Sequence, residues 1–338
     1  TKKPELAGAL NLAEAKMYSW GDDTSTWKNP GAYDYGSARK PYLDDLAKDA
    51  ASKGPRSYAI KSTPNLTLVD PKGKTIKTES EDVIVVAVDG TGSMQTWPAE
   101  IFDRLPLLYQ TLSKYRPNTE ISFSVIGDAT SDSWPSQISD FGKGVGLDDY
   151  LKALKPEGGG GGGMRESYEL WGHFMNQYCE MPKAISPTLI IMGDEKFYPT
   201  INPAQVEHYL GRTLQGPLDS VAMWKELGSK FDIYLLRKSY PGHDEEIVKQ
   251  WAEAIGPQRI VPVEESTRAV DVALGLVAKK WGYFSDFKTN LSARQDDENI
   301  KKVMKSLKAA SIAVPGSTKS TLVGASIASK KSKKLTEE

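Results

Sequence analysis

The sequence predicts an α/β fold: a doubly wound, mainly parallel central sheet with helices on both faces and an extension at each end. Three observations predict it. A continuous β-branched run, VIVVAVD at Val83–Asp89, reads as a strand buried on both faces. Further apolar runs of strand length follow it, separated by segments whose apolar residues recur at helical spacing. The alternation then holds from residue 81 to residue 282, and strands alternating with helices pack as a parallel sheet with helices on its faces.

The elements follow in order. Residues 1–80 form a polar, partly irregular leader, with glycine, proline and aromatic residues scattered through GDDTSTWKNPGAYDYGS. A helix is expected over 41–52, short extended pieces over 57–78, and a turn at Asp70-Pro71-Lys72-Gly73. After the first buried strand, Ile101, Leu105, Leu108 and Leu112 mark a helix over 98–115. Pro98 suits its first turn and Pro106 should kink it. A strand over 121–128, a weaker one over 137–141 and a short helix over 147–154 lead to six consecutive glycines. Beyond them come a helix over 165–178, a strand over 188–194, helices over 203–210 and 219–227, and a strand over 231–237. A helix over 245–255, a strand over 259–263 and a helix over 267–280 complete the domain. Residues 283–338 carry one more helix, over 297–310, then a serine- and lysine-rich tail of disordered composition. The tail's Lys330, Lys331, Lys333 and Lys334 read as a solvated cluster, with contact to an anionic partner as the sharper alternative.

Composition narrows the function. With 39% hydrophobic residues in a 338-residue chain, a real core can form. The balance of 43 basic and 44 acidic residues gives no bulk positive field, so nucleic-acid binding is not expected. Cys179 is the only cysteine, which removes any intrachain disulfide and any cysteine-based zinc site. No apolar run reaches spanning length, and a reducing cytoplasm is the expected compartment.

The chemistry concentrates where the first buried strand ends. Asp89 is followed by GTGSM, so Asp89, Thr91 and Ser93 form an Asp-x-Thr-x-Ser spacing at a strand's carboxyl end. A carboxylate and two hydroxyls in a glycine-permitted turn are hard oxygen ligands, suited to Mg²⁺ first and also to Mn²⁺ or Ca²⁺. DGTGSM after VIVVAV resembles the metal-ion-dependent adhesion site (MIDAS) of the von Willebrand factor A (vWA) family, with threonine in place of the first serine. The resemblance covers residues 81–281 and implies a Rossmann-like sheet with the metal on its rim. It also implies a second aspartate after the fourth strand, which TLIIMGDEK supplies as Asp194. The adjacent Glu195 is expected to point elsewhere.

The family places a threonine in the loop before the third helix. Here that loop holds the glycine run, then Met164, Arg165, Glu166 and Ser167, and no threonine. Glu166 is a candidate replacement ligand; the competing reading makes Glu166 and Ser167 first-turn helix residues favoured by the dipole. Asp128, in VIGDATSD, has two readings: a group that orients metal-bound water, and a turn-forming aspartate.

Other chemistries fit less well. The glycine run lacks the lysine of a phosphate loop, and DGTGSM lacks the spacing of a dinucleotide fingerprint or a nucleophile elbow. His173, His208 and His243 are far apart and show no metal pairing. The resemblance implies a metal that binds rather than transforms, completed by an acidic side chain of a partner protein. The expected function is therefore an adaptor or scaffold module, and by analogy one that works beside a MoxR-type AAA+ ATPase. The alternatives are a metal-dependent phosphoester hydrolase and a metal-free scaffold.

Overall fold

A computed structural model describes residues 63–159 and 163–310 of the chain. The expected helix over 41–52, the lysine-bearing tail over 314–338 and the middle glycines 160–162 lie outside the described residues.

The central sheet has six strands: β1 (Val83–Asp89), β2 (Glu120–Ile126), β3 (Ser136–Ile138), β4 (Thr188–Gly193), β5 (Asp232–Arg237) and β6 (Ile260–Pro262). Their spatial order is β6-β5-β4-β1-β2-β3. All neighbours pair in parallel except β3, which closes one edge antiparallel to β2. The strand expected over 137–141 is thus a short edge strand that runs the other way.

The absence of polar alternation in VIVVAVD has a direct cause. Ile84, Val86 and Val88 enter one hydrophobic cluster, while Val83, Val85 and Ala87 enter another on the opposite face. On the first face lie α1 (Trp97–Tyr115), α2 (Leu147–Ala153), α6 (Ser266–Trp281), α7 (Phe284–Arg294) and α8 (Asp297–Ala309). On the second lie α3 (Tyr168–Gln177), α4 (Ser220–Lys230) and α5 (Asp244–Ile255). Three buried tryptophans, Trp171, Trp224 and Trp251, fill that second face, with the rings of Trp224 and Trp251 centred 5.1 Å apart.

In α1, Pro98 sits in the first turn, where no backbone donor is required, and Ile101, Leu105, Leu108 and Leu112 are fully buried. The helix continues through Pro106 to Tyr115. Helix α6 has buried residues on nearly every side because it is packed against both α1 and α8.

Two expectations about the ends change. Residues 63–80, read as part of the polar leader, contribute to the core. Val69 and Ile76 are fully buried, and Ile76–Lys77 pairs in parallel with Cys179–Glu180. The expected turn is present, with Lys72 N–H donating to Asp70 Oδ1 at 2.9 Å and Gly73 at φ 70°. At the other end, α7 is an unanticipated helix, and it joins the core through Phe287 and Leu291. Its Arg294 donates to Asp271 of α6 at 2.6 Å, with both side chains buried.

Cys179 is 1% exposed, and burial pushes its thiol up to about 12. No helix among the described residues is long and apolar enough to cross a membrane.

Candidate functional site

From β1 the chain moves to one side to make β2 and β3, then crosses back to make β4, β5 and β6 on the other. The carboxyl ends of β1 and β4 therefore bound the crevice where an open parallel sheet receives its ligands. Asp89 is the last residue of β1, and Asp194 directly follows β4. Backbone topology alone brings these two carboxylates together, although 105 positions separate them in the numbering, 89 against 194.

The DGTGS turn completes the arrangement. Asp89 Oδ1 accepts hydrogen bonds from Thr91 N at 2.9 Å and Thr91 Oγ1 at 2.6 Å. Ser93 Oγ donates to Asp194 Oδ1 at 2.8 Å, and the two hydroxyl oxygens lie 3.3 Å apart. A hydroxyl that gives its proton to a carboxylate keeps its lone pairs for a cation. Adjacent ligands on an octahedral Mg²⁺ stand about 3 Å apart, given metal–oxygen distances near 2.0–2.1 Å. Asp89, Thr91, Ser93 and Asp194 thus form one hydrogen-bonded chain of the hard oxygen donors that a divalent cation takes. Among the described residues, no three or more His, Cys, Asp or Glu side chains form a metal-holding group. This candidate set instead combines two carboxylates with two hydroxyls.

Asp89 is fully buried, and its Oδ2 accepts the hydroxyl of Tyr168 from the start of α3. Burial, and then the charge of Asp194, push the Asp89 carboxyl up from its ordinary range. Tyr168 is raised well above its ordinary value, by burial and then by Asp89.

The first two glycines of the run lie at the same rim. Gly158 N–H donates to Gly90 O at 2.8 Å, and Gly92 N–H donates to Gly159 O at 2.6 Å. A Cβ on Gly92 would stand 3.0 Å from Gly158 O, and one on Gly159 would stand 2.1 Å from Asp132 Oδ1. The two loops are joined main chain to main chain, and a side chain at Gly92 or Gly159 would require its neighbours to shift.

Glu166 is not in the first turn of a helix. It lies in a two-residue strand, Arg165–Glu166, that pairs in parallel with Lys196–Phe197. It is 3% exposed, and its Oε2 has no hydrogen-bond partner among the described residues. Burial, then the charge of Asp89, push its carboxyl well up. Ser167 does not cap α3 through its side chain; its Oγ accepts from Ala129 N at 2.8 Å.

Asp128 accepts from Thr130 N at 3.0 Å, Thr130 Oγ1 at 2.6 Å and the Tyr198 hydroxyl at 3.1 Å. The two Thr130 bonds are the contacts of a turn-forming aspartate, although its charge also reaches Glu166.

Glu195 departs from expectation. It is buried, and its carboxyl is pushed up to about 7 by burial, then by Asp89 and Asp194, with the Ser93 hydroxyl opposing. It interacts electrostatically with Asp89 and Asp194.

Two contributors were not singled out from the sequence. One is Tyr168, already described. The other is Lys238, whose Nζ donates to Asp194 Oδ2 at 2.9 Å and to the Ser93 main-chain oxygen. The signal for Lys238 is positional. Arg237 of β5 pairs with Gly193 of β4, so the next residue of each strand, Lys238 and Asp194, meets at the rim. A shallow cavity of about 580 Å³, bordered by Asn65, Leu68, Tyr150 and Lys152, shares none of these residues.

No family model matches the chain, and no curated protein matches it. Among solved structures it is similar to the pilus adhesin SpaC from Lactobacillus rhamnosus GG. The identity is 13% and the TM-score 0.43, covering 64% of this chain and 32% of the adhesin. It is also similar to proximal thread matrix protein 1 from the mussel byssus, with 10% identity and a TM-score of 0.42, covering 62% of this chain and 49% of that one. The chain thus spans about a third of the adhesin's length and about half of the byssus protein's.

Proposed function

We propose that the chain is a divalent-metal-dependent protein-binding module of the vWA type, acting as an adaptor or scaffold. In this reading Asp89, Thr91, Ser93 and Asp194 hold the cation, Mg²⁺ in the first instance, with Glu166 as a further candidate ligand. When bound, the cation supplies a positively charged open position that a partner's Asp or Glu completes.

One observation carries the reading. The carboxylate–hydroxyl chain Asp89–Thr91–Ser93–Asp194 is assembled across the two strand ends at the sheet's switch point. Each residue has a definable part. Asp89 fixes the Thr91 hydroxyl, Asp194 fixes that of Ser93, and Tyr168 holds the second oxygen of Asp89. The glycine backbone of Gly158 and Gly159 packs directly beside them, hydrogen-bonded to Gly90 and Gly92.

Calorimetry with Mg²⁺ and Mn²⁺ tests this directly. The wild type is expected to bind one ion and Asp89→Ala to bind none; equal titrations would sink the metal reading. A partner captured by the wild type should leave when EDTA is added.

A second reading, a scaffold that works without metal, draws on Lys238. Its ammonium already gives Asp194 a positive partner. Under that reading EDTA leaves partner capture unchanged.

A further inference from the structure

We propose that Lys238 is a tethered cation that holds down the affinity of the rim site for divalent metal. The inference rests on the metal reading above and assigns to this chain a residue that sets how readily the site loads.

The placement comes from the sheet. Lys238 follows β5 as Asp194 follows β4, and Lys238 N–H donates to Gly193 O at 3.1 Å, which continues the ladder by one residue. Its side chain, 18% exposed, lays the ammonium on Asp194 Oδ2 at 2.9 Å and on the Ser93 main-chain oxygen. The Asp194 side chain has no exposure to water. A buried carboxylate needs a cationic or hydrogen-bonding partner, and here one arm of the chain provides it. The neighbouring basic groups are engaged elsewhere: Lys196 pairs with Glu246 at 2.6 Å, and Arg237 pairs with Asp244.

A divalent ion held by Ser93 Oγ and the Asp194 carboxylate meets this ammonium. It either displaces the ammonium from Oδ2 or shares the carboxylate with it. Displacement leaves Lys238 without its carboxylate partner. Sharing puts like charges together in a site shielded from water, where their repulsion is large. Both routes weaken metal binding, so a neutral side chain at position 238 should strengthen it.

The test is calorimetry with Mn²⁺ and Mg²⁺ on the full chain, comparing wild type, Lys238→Met, Lys238→Gln, Lys238→Arg and Asp89→Ala. Lys238→Met should bind Mn²⁺ about tenfold more tightly than wild type, or better. Lys238→Gln should move the same way and replaces Lys238→Met as the readout if that variant does not fold. Lys238→Arg keeps the charge and should keep the weak wild-type affinity. Thermal melts give a separate readout. Without metal, Lys238→Met should melt below wild type because Asp194 has lost its cationic partner, and saturating Mn²⁺ should close that gap.

If wild type binds and Asp89→Ala does not, yet the neutral variants bind no better than wild type, the role of Lys238 is overturned and the metal reading stands. Tight binding by Lys238→Arg would likewise remove charge as the cause. If neither wild type nor the neutral variants bind metal, the metal reading falls and this inference falls with it.

Discussion

Gly193 has no side chain, and the site depends on that. A Cβ there would stand 2.2 Å from the Tyr168 hydroxyl, the group that holds Asp89 Oδ2. Gly193→Ala should therefore displace Tyr168 and cost about 1–3 kcal/mol, the usual range for a forced fit in a packed interior. Urea titration measures it. The double variant with Tyr168→Phe should show a smaller added cost for the alanine, because the clashing hydroxyl is gone. Additive costs would mean that Gly193 matters for another reason. At this scale the sequence was readable where chemistry is local. Asp89, Thr91 and Ser93 share five residues, and the turn that holds them joins their oxygens by hydrogen bonds. Tyr168 and Lys238 were not readable in that way. Each reaches the site from a distant element, and only the strand register or the packed fold brings it there.

Among the elements, α3 carries an unusual load. Its Glu169 is fully buried, accepts from Tyr198 N at 2.9 Å and has its carboxyl pushed up to about 8, chiefly by burial. The folded value lies above the ordinary 4.5, so the folded state keeps this proton where the unfolded chain has lost it. The resulting stabilisation is complete below about pH 4.5 and is lost as pH rises through about 8, a change on the order of a few kcal/mol. Glu169→Gln should flatten that part of the stability–pH curve. Denaturant midpoints from pH 5 to 9 would show it, and parallel curves for variant and wild type would refute it. Strands and most helices were legible because their apolar residues fall at the right period. Helix α7 was not, for a physical reason. Asn290 and Arg294 occupy core positions in FSDFKTNLSAR, and Arg294 pairs with buried Asp271 on another helix. Polar residues at core positions erase the stripe that spacing analysis looks for.

For the molecule as a whole, the boundary read at residue 282 divides a single core. Phe287, Leu291, Val303 and Leu307 are each no more than 2% exposed, and a Cβ on Gly275 of α6 would stand 2.4 Å from Leu307. Burying a large apolar side chain is worth about 1.5–3 kcal/mol. Losing these four removes an amount comparable to the net stability of a typical domain, roughly 5–15 kcal/mol. A chain ending at residue 282 should therefore unfold at a far lower urea concentration than one ending at residue 310, or show no cooperative transition. Equal midpoints would make 283–310 an appendage. The β-α alternation ends at residue 282, and helix α7 beyond it hides its apolar face; Phe287, Leu291, Val303 and Leu307 nevertheless belong to the same hydrophobic cluster. The sealed thiol of Cys179, finally, has a practical consequence for spectroscopy. With the chain's single sulfhydryl out of reach of maleimides in the folded protein, Arg165→Cys would place one addressable thiol at an exposed position next to Glu166. A fluorophore attached there should be quenched by Mn²⁺ in wild-type background and not in Asp89→Ala, which would turn the rim into its own reporter.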